Sequence, residues 1–539
     1  MEWLGRLPAN GVKQYLAADA AERKPTASTM AGSKLTMGLL LLAVVAAAQV
    51  GAQGPAAAPS SSDASGLPPI PAERPPFFLG VATAAPQIEG AVAEDGRSRS
   101  IWDTWAAAHP ENDSPNVTDD FYHRYAEDIR IMQTYGIKHF RFSVAWTRVI
   151  PDGNGSTNAA GLGFYSRLVD ALLAAGIEPV VTLYHWDLPQ VLQDRYGGFL
   201  NEQIVADFTH YATVVFEALG SRVTYWSTFN EPATFCVSGY GSGWHAPSLR
   251  DQQGEQGYVW ECHNNVLRAH ASAVREFRRL VPNGKIGMNL AVQWSEPRSD
   301  SEADRAAAER HMEFELAVWS DPVYRGDWPA SVKERNPRGL MTITPELAAA
   351  LRGSFDMYML NFYTAKYVYY LSGGWGMAGQ GVIDAADTFN ATNGASIGPE
   401  TASSWFKEVP WAFRKQLKWV SDRYNRPVMW VTENGVAVPD SANELLPGVL
   451  NDTYRINFYR DYMQAAMAAI SQDNVDIQGY FCWSLLDNWE WTSGFKERFG
   501  LVYVDYANNQ ARHPKQSLAW LSRWFGLSSG AAQVSTQSI

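Results

Sequence analysis

Short apolar runs alternate along most of the chain with longer segments in which apolar residues recur every three or four positions. The short runs are rich in β-branched and aromatic residues, which is typical of buried strands, and the longer period is typical of helices. The pattern predicts eight strands, at 77–82, 138–144, 178–184, 223–229, 285–291, 356–362, 428–432 and 479–484. It predicts helices between them, at 121–135, 163–175, 202–219, 263–280, 410–423 and 453–470.

Strands that alternate with helices build a parallel sheet, and eight such units predict a closed barrel. The fold class that we expect is therefore α/β, with a single (β/α)8 TIM barrel over 77–525. This span is much longer than the roughly 250 residues typical of the fold, so long loops must be inserted at the C-terminal face. The candidate insertions are 232–262, 292–330 and 371–409.

The two ends of the chain follow other patterns. Within an N-terminal extension at 1–50, a lysine after Met30 precedes an apolar run of about a dozen residues that ends in small ones, as in a secretory signal. Met30 is therefore the alternative start of the chain, and an uncleaved signal-anchor that tethers the protein to a membrane is the alternative to a cleaved signal. Residues 51–76, rich in Ala, Pro and Ser, are predicted to be a linker, and 526–539 a polar C-terminal tail.

Five Asn-x-Ser/Thr sequons also point to an exported chain. We expect a glycoprotein of the secretory pathway that is extracellular or lies in a cell wall or vacuole. No stable membrane span is expected once the signal is removed. The candidate glycan acceptors are Asn112, Asn116, Asn154, Asn390 and Asn451.

The charge of the chain limits the classes of partner that we expect, and its cysteine content limits the expected metal sites and disulfides. With 44 Lys and Arg against 56 Asp and Glu the net charge is −12, and no basic stripe is present, so a nucleic-acid partner is not expected. The three cysteines include no C-x-x-C pair, which argues against a zinc site or a disulfide framework. A single bridge between Cys236 and Cys262 and free buried thiols are both open. His263 and His270 lie seven positions apart on one predicted helix and are interpreted as core residues rather than metal ligands. No metal or cofactor is expected.

Polar residues gather where the predicted strands end. The active site of a TIM barrel lies at the carboxyl ends of its strands, so these residues should face one another. Seven of the eight strands carry or precede such a residue. In chain order they are Gln87, Arg141, His185, Trp186, Asn230, Glu231, Asn361, Tyr363, Glu433, Asn434 and Trp483, with Glu490 and Trp491 in the loop beyond the last strand.

Two glutamates stand out in this set. Glu231 in FNEP and Glu433 in VTENG each follow an apolar strand, where a carboxylate is costly unless it is paired or hydrogen-bonded. Each has a purely structural interpretation, as a carboxylate bonded to an arginine or to backbone amides. Two at one end of a barrel favour a catalytic pair of the kind that glycoside hydrolysis needs. A separation of about 5–5.5 Å gives retention and about 6.5–9.5 Å gives inversion, and the sequence does not decide between them.

Seven ordered motifs carry a resemblance to a known family. They are FLGVATAAPQIEGA, SIWDTW, RFSVAW, LYHWDLPQ, TFNEP, VTENG and WSLLDNWEWTSGFKERFGLVYVD. Together they closely resemble glycoside hydrolase family 1, the retaining β-glucosidase family, over nearly all of the chain beyond the linker. The resemblance implies that Glu231 is the general acid/base and Glu433 the nucleophile. It implies supporting roles for Arg141, Tyr363 and Asn361.

These two roles need opposite protonation states. Glu231 must carry a proton before attack, so a dry site and the nearby charge of Glu433 should raise its pKa. Glu433 must be ionised, and Arg141 and the Tyr363 hydroxyl are suited to hold it charged and aimed.

The family's sugar pocket implies a further set of contacts. An aromatic face suits the C–H surface of a pyranose, a role implied for Trp483, while amide and charged groups bond sugar hydroxyls. An acid at Glu490 implies an unphosphorylated sugar such as glucose, galactose or fucose, because a second anion would be repelled. The substrate-binding residues implied are Gln87, His185, Trp186, Asn230, Trp483, Glu490, Trp491 and Phe499.

We therefore expect a retaining β-glycosidase, with β-glucosidase favoured, that acts through a covalent glycosyl-enzyme. Its expected partners are small β-glycosides or oligosaccharides, from which it removes terminal non-reducing β-D-glucosyl residues, and also galactosyl or fucosyl residues. Because Glu231 is present, we expect O-glycosides or short β-glucans. The alternatives are a transglycosidase with the same site and a non-catalytic glycan-binding barrel. No residue pattern indicates an oligomeric state.

Overall fold

The computed structural model describes residues 77–439 and 446–524. The N-terminal extension with its signal, the linker and the polar tail predicted at the two ends lie outside the described residues.

Eight parallel strands close into a barrel. Each strand pairs with the barrel strands before and after it in the chain, and the last pairs with the first. All eight predicted strands are confirmed, with boundaries that differ by at most two residues. They are β1 (Phe78–Ala82), β2 (His139–Ser143), β3 (Glu178–Tyr184), β4 (Tyr225–Asn230), β5 (Lys285–Ala291), β6 (Tyr358–Asn361), β7 (Met429–Asn434) and β8 (Ile477–Trp483).

Helices connect successive strands, as a (β/α)8 barrel requires. The main ones are α1 (Phe121–Thr134), α2 (Ala159–Ala174), α3 (Gln203–Leu219), α4 (Tyr258–Leu280), α5 (Glu302–Met312), α6 (Pro410–Arg423), α7 (Thr453–Asp473) and α8 (Gln516–Leu521). The six predicted helices correspond to α1–α4, α6 and α7. Short helices lie at Ala85–Ile88, Ile101–Ala108, Trp146–Val149, Gln190–Tyr196, Pro232–Val237, Val318–Arg325, Ala330–Arg335, Pro345–Leu351 and Leu446–Leu450.

The predicted insertions are only partly loops. The segment 292–330 contains α5 and the helix Val318–Arg325, so the expectation of a loop there was wrong. The Ser301 hydroxyl accepts a hydrogen bond from the Asp304 backbone N–H at the start of α5, a cap that favours helix. The buried residues of α5 are two alanines, His311 and Met312, so the helix lacks the stripe of large apolar residues on which the prediction relied.

Small sheets accompany the barrel. The strand Ala365–Tyr370 pairs with Trp294–Pro297 on one side and with Ala385–Thr388 on the other, so two of the insertions are joined in one three-stranded sheet. Two further pairs join Val438–Pro439 to Glu497–Arg498 and Val502–Asp505 to Ala511–Pro514.

Aromatic rings fill the amino-terminal end of the barrel. The rings of Phe78 and Tyr225, the first residues of β1 and β4, lie 5.0 and 4.8 Å from the ring of Trp430 near the start of β7. The ring of Phe481 stacks on Trp430 at 5.7 Å. We call these four residues the aromatic floor. Because it packs this end, a ligand site can open only towards the carboxyl ends of the strands.

The cysteine question left open by the sequence has an answer in the structure. Cys236 and Cys262 form a disulfide, with Cα atoms 5.7 Å apart. The bridge ties the short helix after β4 to the first turns of α4. Cys482, on β8, is a buried free thiol.

The two histidines of α4 are bonded within the core. His263 Nδ1 lies 2.7 Å from the Val259 carbonyl oxygen, and the two ring nitrogens of His270 lie 2.7 and 3.0 Å from the Thr228 and Ser354 hydroxyls. Within 77–439 and 446–524, no three His, Cys, Asp or Glu side chains are grouped as metal ligands. No helix in these ranges has the length and apolar character to cross a membrane.

Candidate active site

A cavity of about 360 Å³ opens at the carboxyl end of the barrel. Eleven of the thirteen predicted catalytic and substrate-binding residues line it. The other two, Arg141 and Gln87, are fully buried and contact lining residues. The predicted residues thus converge from seven strands into one site.

The backbone turns sharply at Glu231. This residue directly follows β4 and has φ 49° and ψ 60°, the left-handed region, before Pro232 begins the next helix. Its N–H donates to the Asn289 carbonyl on β5 at 2.8 Å. A non-glycine residue in this conformation costs about 1–3 kcal/mol, which the surrounding barrel must offset. The turn directs the Glu231 side chain into the cavity instead of along the strand.

Glu231 is 8% exposed and has two neutral hydrogen-bond donors. Its Oε1 accepts from Asn361 Nδ2 at 2.7 Å, and its Oε2 accepts from the Thr234 hydroxyl at 3.0 Å. Burial and then the charge of Glu433 raise the pKa of Glu231 to about 7, against the opposing effect of these hydrogen bonds. A substantial fraction of Glu231 therefore carries a proton at neutral pH.

Glu433, on β7, is 3% exposed and has a cationic partner. Its Oε1 accepts from Arg141 Nη1 at 2.5 Å, and its Oε2 accepts from the Tyr363 hydroxyl at 2.9 Å. Burial raises the pKa of Glu433, and the charge and hydrogen bond of Arg141 oppose that rise. Because Arg141 contacts Glu433 directly, Glu433 is the carboxyl of the pair that the site favours in the ionised form.

One hydrogen-bond network connects the two carboxyl groups. Asn230 Oδ1 accepts from Arg141 Nη2 at 2.6 Å and from Asn361 Nδ2 at 3.2 Å. Since Arg141 also donates to Glu433 and Asn361 to Glu231, these three side chains hold both acids. Such fully connected networks keep side chains rigid in a dry interior.

His185 is a neutral ring in an aromatic stack. Its Nε2 lies 3.0 Å from Asn230 Nδ2 and therefore accepts, because Asn230 Oδ1 is already used as an acceptor. Burial, with the charge of Arg141, holds the pKa of His185 well below its usual range. Its Nδ1–H has no partner among the described residues. The ring lies nearly parallel to Trp483 and Trp491, at 5.9 and 6.0 Å.

Gln87 and Glu490 meet on the other side of the cavity. Gln87 Nε2 donates to Glu490 Oε2 at 3.1 Å, while Gln87 Oε1 has no partner among the residues that the structure describes. Burial and then the neighbouring Glu497 and Glu433 hold the pKa of Glu490 well above its usual range. The pair leaves Gln87 Oε1 as an unsatisfied acceptor, which suits a ligand that carries hydroxyl groups.

Trp186 and Phe499 complete the predicted walls. The Trp186 indole N–H donates to the Asn230 carbonyl at 2.9 Å, and its ring lies 4.6 Å from Trp491. Phe499 meets the edge of Tyr363 at 6.2 Å.

The chain matches the model of glycosyl hydrolase family 1 over residues 72–525. It belongs to glycosyl hydrolase family 1. This family 1 chain is 40% identical to "Putative beta-glucosidase 41" of Arabidopsis thaliana over 487 residues, which cover 86% of this chain and 89% of the relative. It is also 40% identical to "Beta-glucosidase 6" of Oryza sativa subsp. japonica, over 82% of this chain and 88% of that protein.

Solved structures of family 1 enzymes have the same barrel. The β-glucosidase from Trichoderma harzianum is similar with a TM-score of 0.80 and 41% identity, over 85% of this chain and 99% of that one. A rice β-glucosidase mutant in a covalent complex with glucose is similar with a TM-score of 0.79 and 38% identity, over 83% of this chain and 97% of that one.

Several residues of the family 1 site were not singled out from the sequence. Thr234 lies two residues after the TFNEP motif, and Glu497 lies within the last motif. Their position in or near a motif was the signal by which they could have been found. The others lie in segments taken as insertions, where no periodicity or motif marks them. The additional polar and aromatic residues that line the cavity include Thr234, His245, Gln293, Glu315, Trp405 and Glu497.

Proposed function

We propose that this family 1 chain is a retaining β-glucosidase in which Glu433 is the nucleophile and Glu231 the general acid/base. The observation that carries the proposal is the contrast between two buried carboxyl groups in one cavity. Arg141 donates to Glu433, whereas Glu231 has neutral donors and a pKa of about 7. One acid is thus suited to attack and the other to give up a proton.

In the first step the Glu433 carboxylate attacks the anomeric carbon of the bound glucoside. The bond from that carbon to the leaving oxygen breaks, and Glu231 transfers its proton to this oxygen. The leaving group departs as a neutral alcohol, and a glucosyl ester of Glu433 is left. Arg141 and Tyr363 aim the attacking oxygen before the bond forms.

In the second step the same residues act in the opposite direction. The ester has no negative charge at Glu433, so one cause of the raised pKa of Glu231 is gone. Glu231, now a carboxylate, takes a proton from water as the water attacks the anomeric carbon. Glu433 leaves as a carboxylate, which Arg141 stabilises. Two inversions at one carbon give net retention.

The sugar is proposed to lie against the Trp483 face, with its hydroxyls bonded by residues around it. His185 Nδ1–H offers a donor, and Gln87 Oε1 an acceptor. Glu490 faces the same cavity, and its ionised form would repel a phosphorylated sugar. The β-glucosidase names of the relatives favour glucose over galactose or fucose.

Trapping of the intermediate tests this assignment. A 2-deoxy-2-fluoro-β-glucoside with a good leaving group should inactivate the enzyme and add one fluoroglucosyl unit to the peptide that contains Glu433, as read by mass spectrometry. The matched control is Glu433→Gln, which should acquire no label. Turnover of the normal glucoside by wild type without any adduct on Glu433 would contradict the assignment.

We propose that the protein is exported and glycosylated. The Cys236–Cys262 disulfide supports this, because such bonds persist in oxidising compartments. Four sequon asparagines are exposed and the fifth, Asn112, is partly buried. Expression in a eukaryotic host from Met1 and from Met30 should give medium or lumenal protein whose mass falls on treatment with a glycosidase specific for N-glycans. Resistance of the membrane fraction to alkaline extraction would instead favour a signal-anchor.

A further inference from the structure

The connection between β5 and β6 carries a buried carboxylate that the mechanism above does not use. Glu315 lies in the helical turn Glu313–Ala317, is 4% exposed and lines the catalytic cavity. A carboxylate in such a place is costly unless its oxygens are bonded. The protein partners of its two oxygens therefore show which hydrogen bond is left for a ligand to supply.

Glu315 has a protein partner at one oxygen. Its Oε1 lies 3.1 Å from His311 Nε2, and His311 Nδ1 lies 2.9 Å from the Ser295 hydroxyl. No described residue bonds Oε2. His311 and Ser295 thus hold the group in position and leave one oxygen for a bound molecule.

The position of Glu315 relates it to the leaving group. In the ring of strands, β4 and β5 are neighbours and lie opposite β8 and β1, which precede Glu490 and Gln87. The acid/base Glu231 follows β4 and must reach the leaving oxygen. Ser295, four residues after β5, ties His311 and Glu315 to this same side. The departing group should therefore lie between Glu231 and the β5–β6 connection.

The surroundings of Glu315 favour hydroxyl groups as ligands. Burial raises the pKa of Glu315, while His311 and then Lys366 oppose the rise. A sugar hydroxyl can bond either form of the carboxyl, because it both donates and accepts, whereas a cation needs the ionised form. Gln293 lines the same cavity, and its Oε1 has no partner within the described ranges.

We propose that Glu315 is a specificity residue for the leaving group, and that its free oxygen accepts a hydrogen bond from a hydroxyl of a second sugar unit. The preferred substrate class is then a β-linked glucose disaccharide or short oligosaccharide rather than an aryl glucoside. This inference rests on the β-glucosidase function proposed above. His311 and Ser295 are positioning residues.

The test compares cellobiose with 4-nitrophenyl β-D-glucoside, whose leaving group has no hydroxyl besides the reacting oxygen. Glu315→Leu should lower kcat/KM for cellobiose by roughly 10-fold or more, the effect of losing a hydrogen bond to a charged group. It should change kcat/KM for the aryl glucoside by less than about twofold. Hydrolysis of the shared glucosyl-enzyme should be unchanged, because the leaving group has already departed.

Two variants serve as controls. Glu315→Gln keeps an oxygen acceptor and should lose less activity on cellobiose than Glu315→Leu. Glu313→Gln, in the same turn, removes a carboxylate that bonds Arg423 and does not line the cavity. It should leave both substrates unaffected. Equal losses on both substrates, or no loss on cellobiose, would overturn the proposal for Glu315.

Wild-type enzyme provides a measurement that no folding defect can affect. The trapped 2-deoxy-2-fluoroglucosyl enzyme is reactivated when an alcohol takes the sugar from Glu433. At equal concentration cellobiose should reactivate it about tenfold faster than cyclohexanol, since only cellobiose can bond Glu315. Equal rates would count against this inference alone. Failure of wild type to form the adduct or to cleave either glucoside would instead overturn the proposed function.

Discussion

Two buried ionic clusters in this barrel differ in their balance of charge. Beyond β8, Asp487 meets two cations: its Oδ1 accepts from Lys515 Nζ at 2.7 Å, and its Oδ2 accepts from Arg498 Nη1 at 3.2 Å. In the catalytic cavity five carboxyl groups line the walls, and no Lys or Arg is among the described lining residues. Arg141 does not line the cavity, but it donates a charged hydrogen bond to the lining residue Glu433.

The difference shows how one protein interior can use the same residue type in two ways. Where one carboxylate bonds two cations, as at Asp487, the acid ties distant segments of the chain together. Where carboxylates outnumber cations, burial and then repulsion between the carboxylates make one of them retain a proton, as the pKa of about 7 at Glu231 indicates. Local charge excess therefore separates an acid that stabilises the fold from one that can transfer a proton.

The largest effect is expected from Glu433→Gln. The amide cannot form the glucosyl ester, so kcat/KM for aryl glucosides should fall roughly 10,000-fold or more. Steady-state rates on purified protein measure this, with circular dichroism to show that the barrel is folded. Residual activity within about tenfold of wild type would remove Glu433 from the catalytic role.

Glu231→Ala should distinguish substrates by their leaving group. Loss of the general acid should slow cleavage of alkyl glucosides by roughly 100-fold to 10,000-fold. Formation of the intermediate from an activated aryl glucoside needs little proton transfer and should be largely retained, as pre-steady-state bursts would show. The same loss with both substrate types would argue that Glu231 has another function.

Asp487→Asn should break the structural cluster and leave the catalytic one intact. Two buried cations would lose their counter-ion, which should cost about 3–5 kcal/mol of unfolding free energy. Chemical denaturation measures the change. The matched control is Asp422→Asn, at an exposed pair with Lys418, where about 1 kcal/mol or less is expected. Similar costs at the two sites would contradict the contrast.

A pH profile should give the smallest but most specific effect. kcat/KM should fall as pH rises through about 7, where Glu231 loses its proton, and should fall at low pH as Glu433 is protonated. Because the folded state raises the pKa of Glu231, its protonated form stabilises the fold. That contribution is complete below about pH 4.5 and is lost as pH rises through about 7.

Glu231→Gln provides the control for both pH profiles, that of kcat/KM and that of the unfolding free energy. It should abolish the basic limb of the kcat/KM profile. It should also flatten the decrease in unfolding free energy between about pH 4.5 and 7. A basic limb that persists in this variant would assign that titration to another group.

The sequence predicted the barrel and the meeting of Glu231 and Glu433 at its carboxyl end because both leave local patterns. Each strand is a compact run of β-branched and aromatic residues, and Glu231 and Glu433 each follow such a run directly. The contacts between Arg141, Asn230 and Asn361 could be expected only once the closed ring made the side chains of three alternate strands, β2, β4 and β6, converge on one cavity.

The unpredicted part of the site has a different origin. α5 buries alanines, so its periodicity is weak, and Glu315 follows it with no motif. His311 lies only four positions before Glu315, but Ser295, which lies within hydrogen-bond distance of His311, is 16 residues earlier in the chain and meets it only through the fold. Such contacts depend on tertiary packing that local patterns do not encode.

The aromatic floor also determines the order in which the two parts of a substrate enter and leave the cavity. With Phe78, Tyr225, Trp430 and Phe481 packed across one end of the barrel, a substrate cannot pass through that end. The sugar that enters first must then leave last, after its former partner has cleared the passage. An extended glucan could insert one end but could not thread through the barrel, so we expect glucosyl units to be removed one at a time from a chain end.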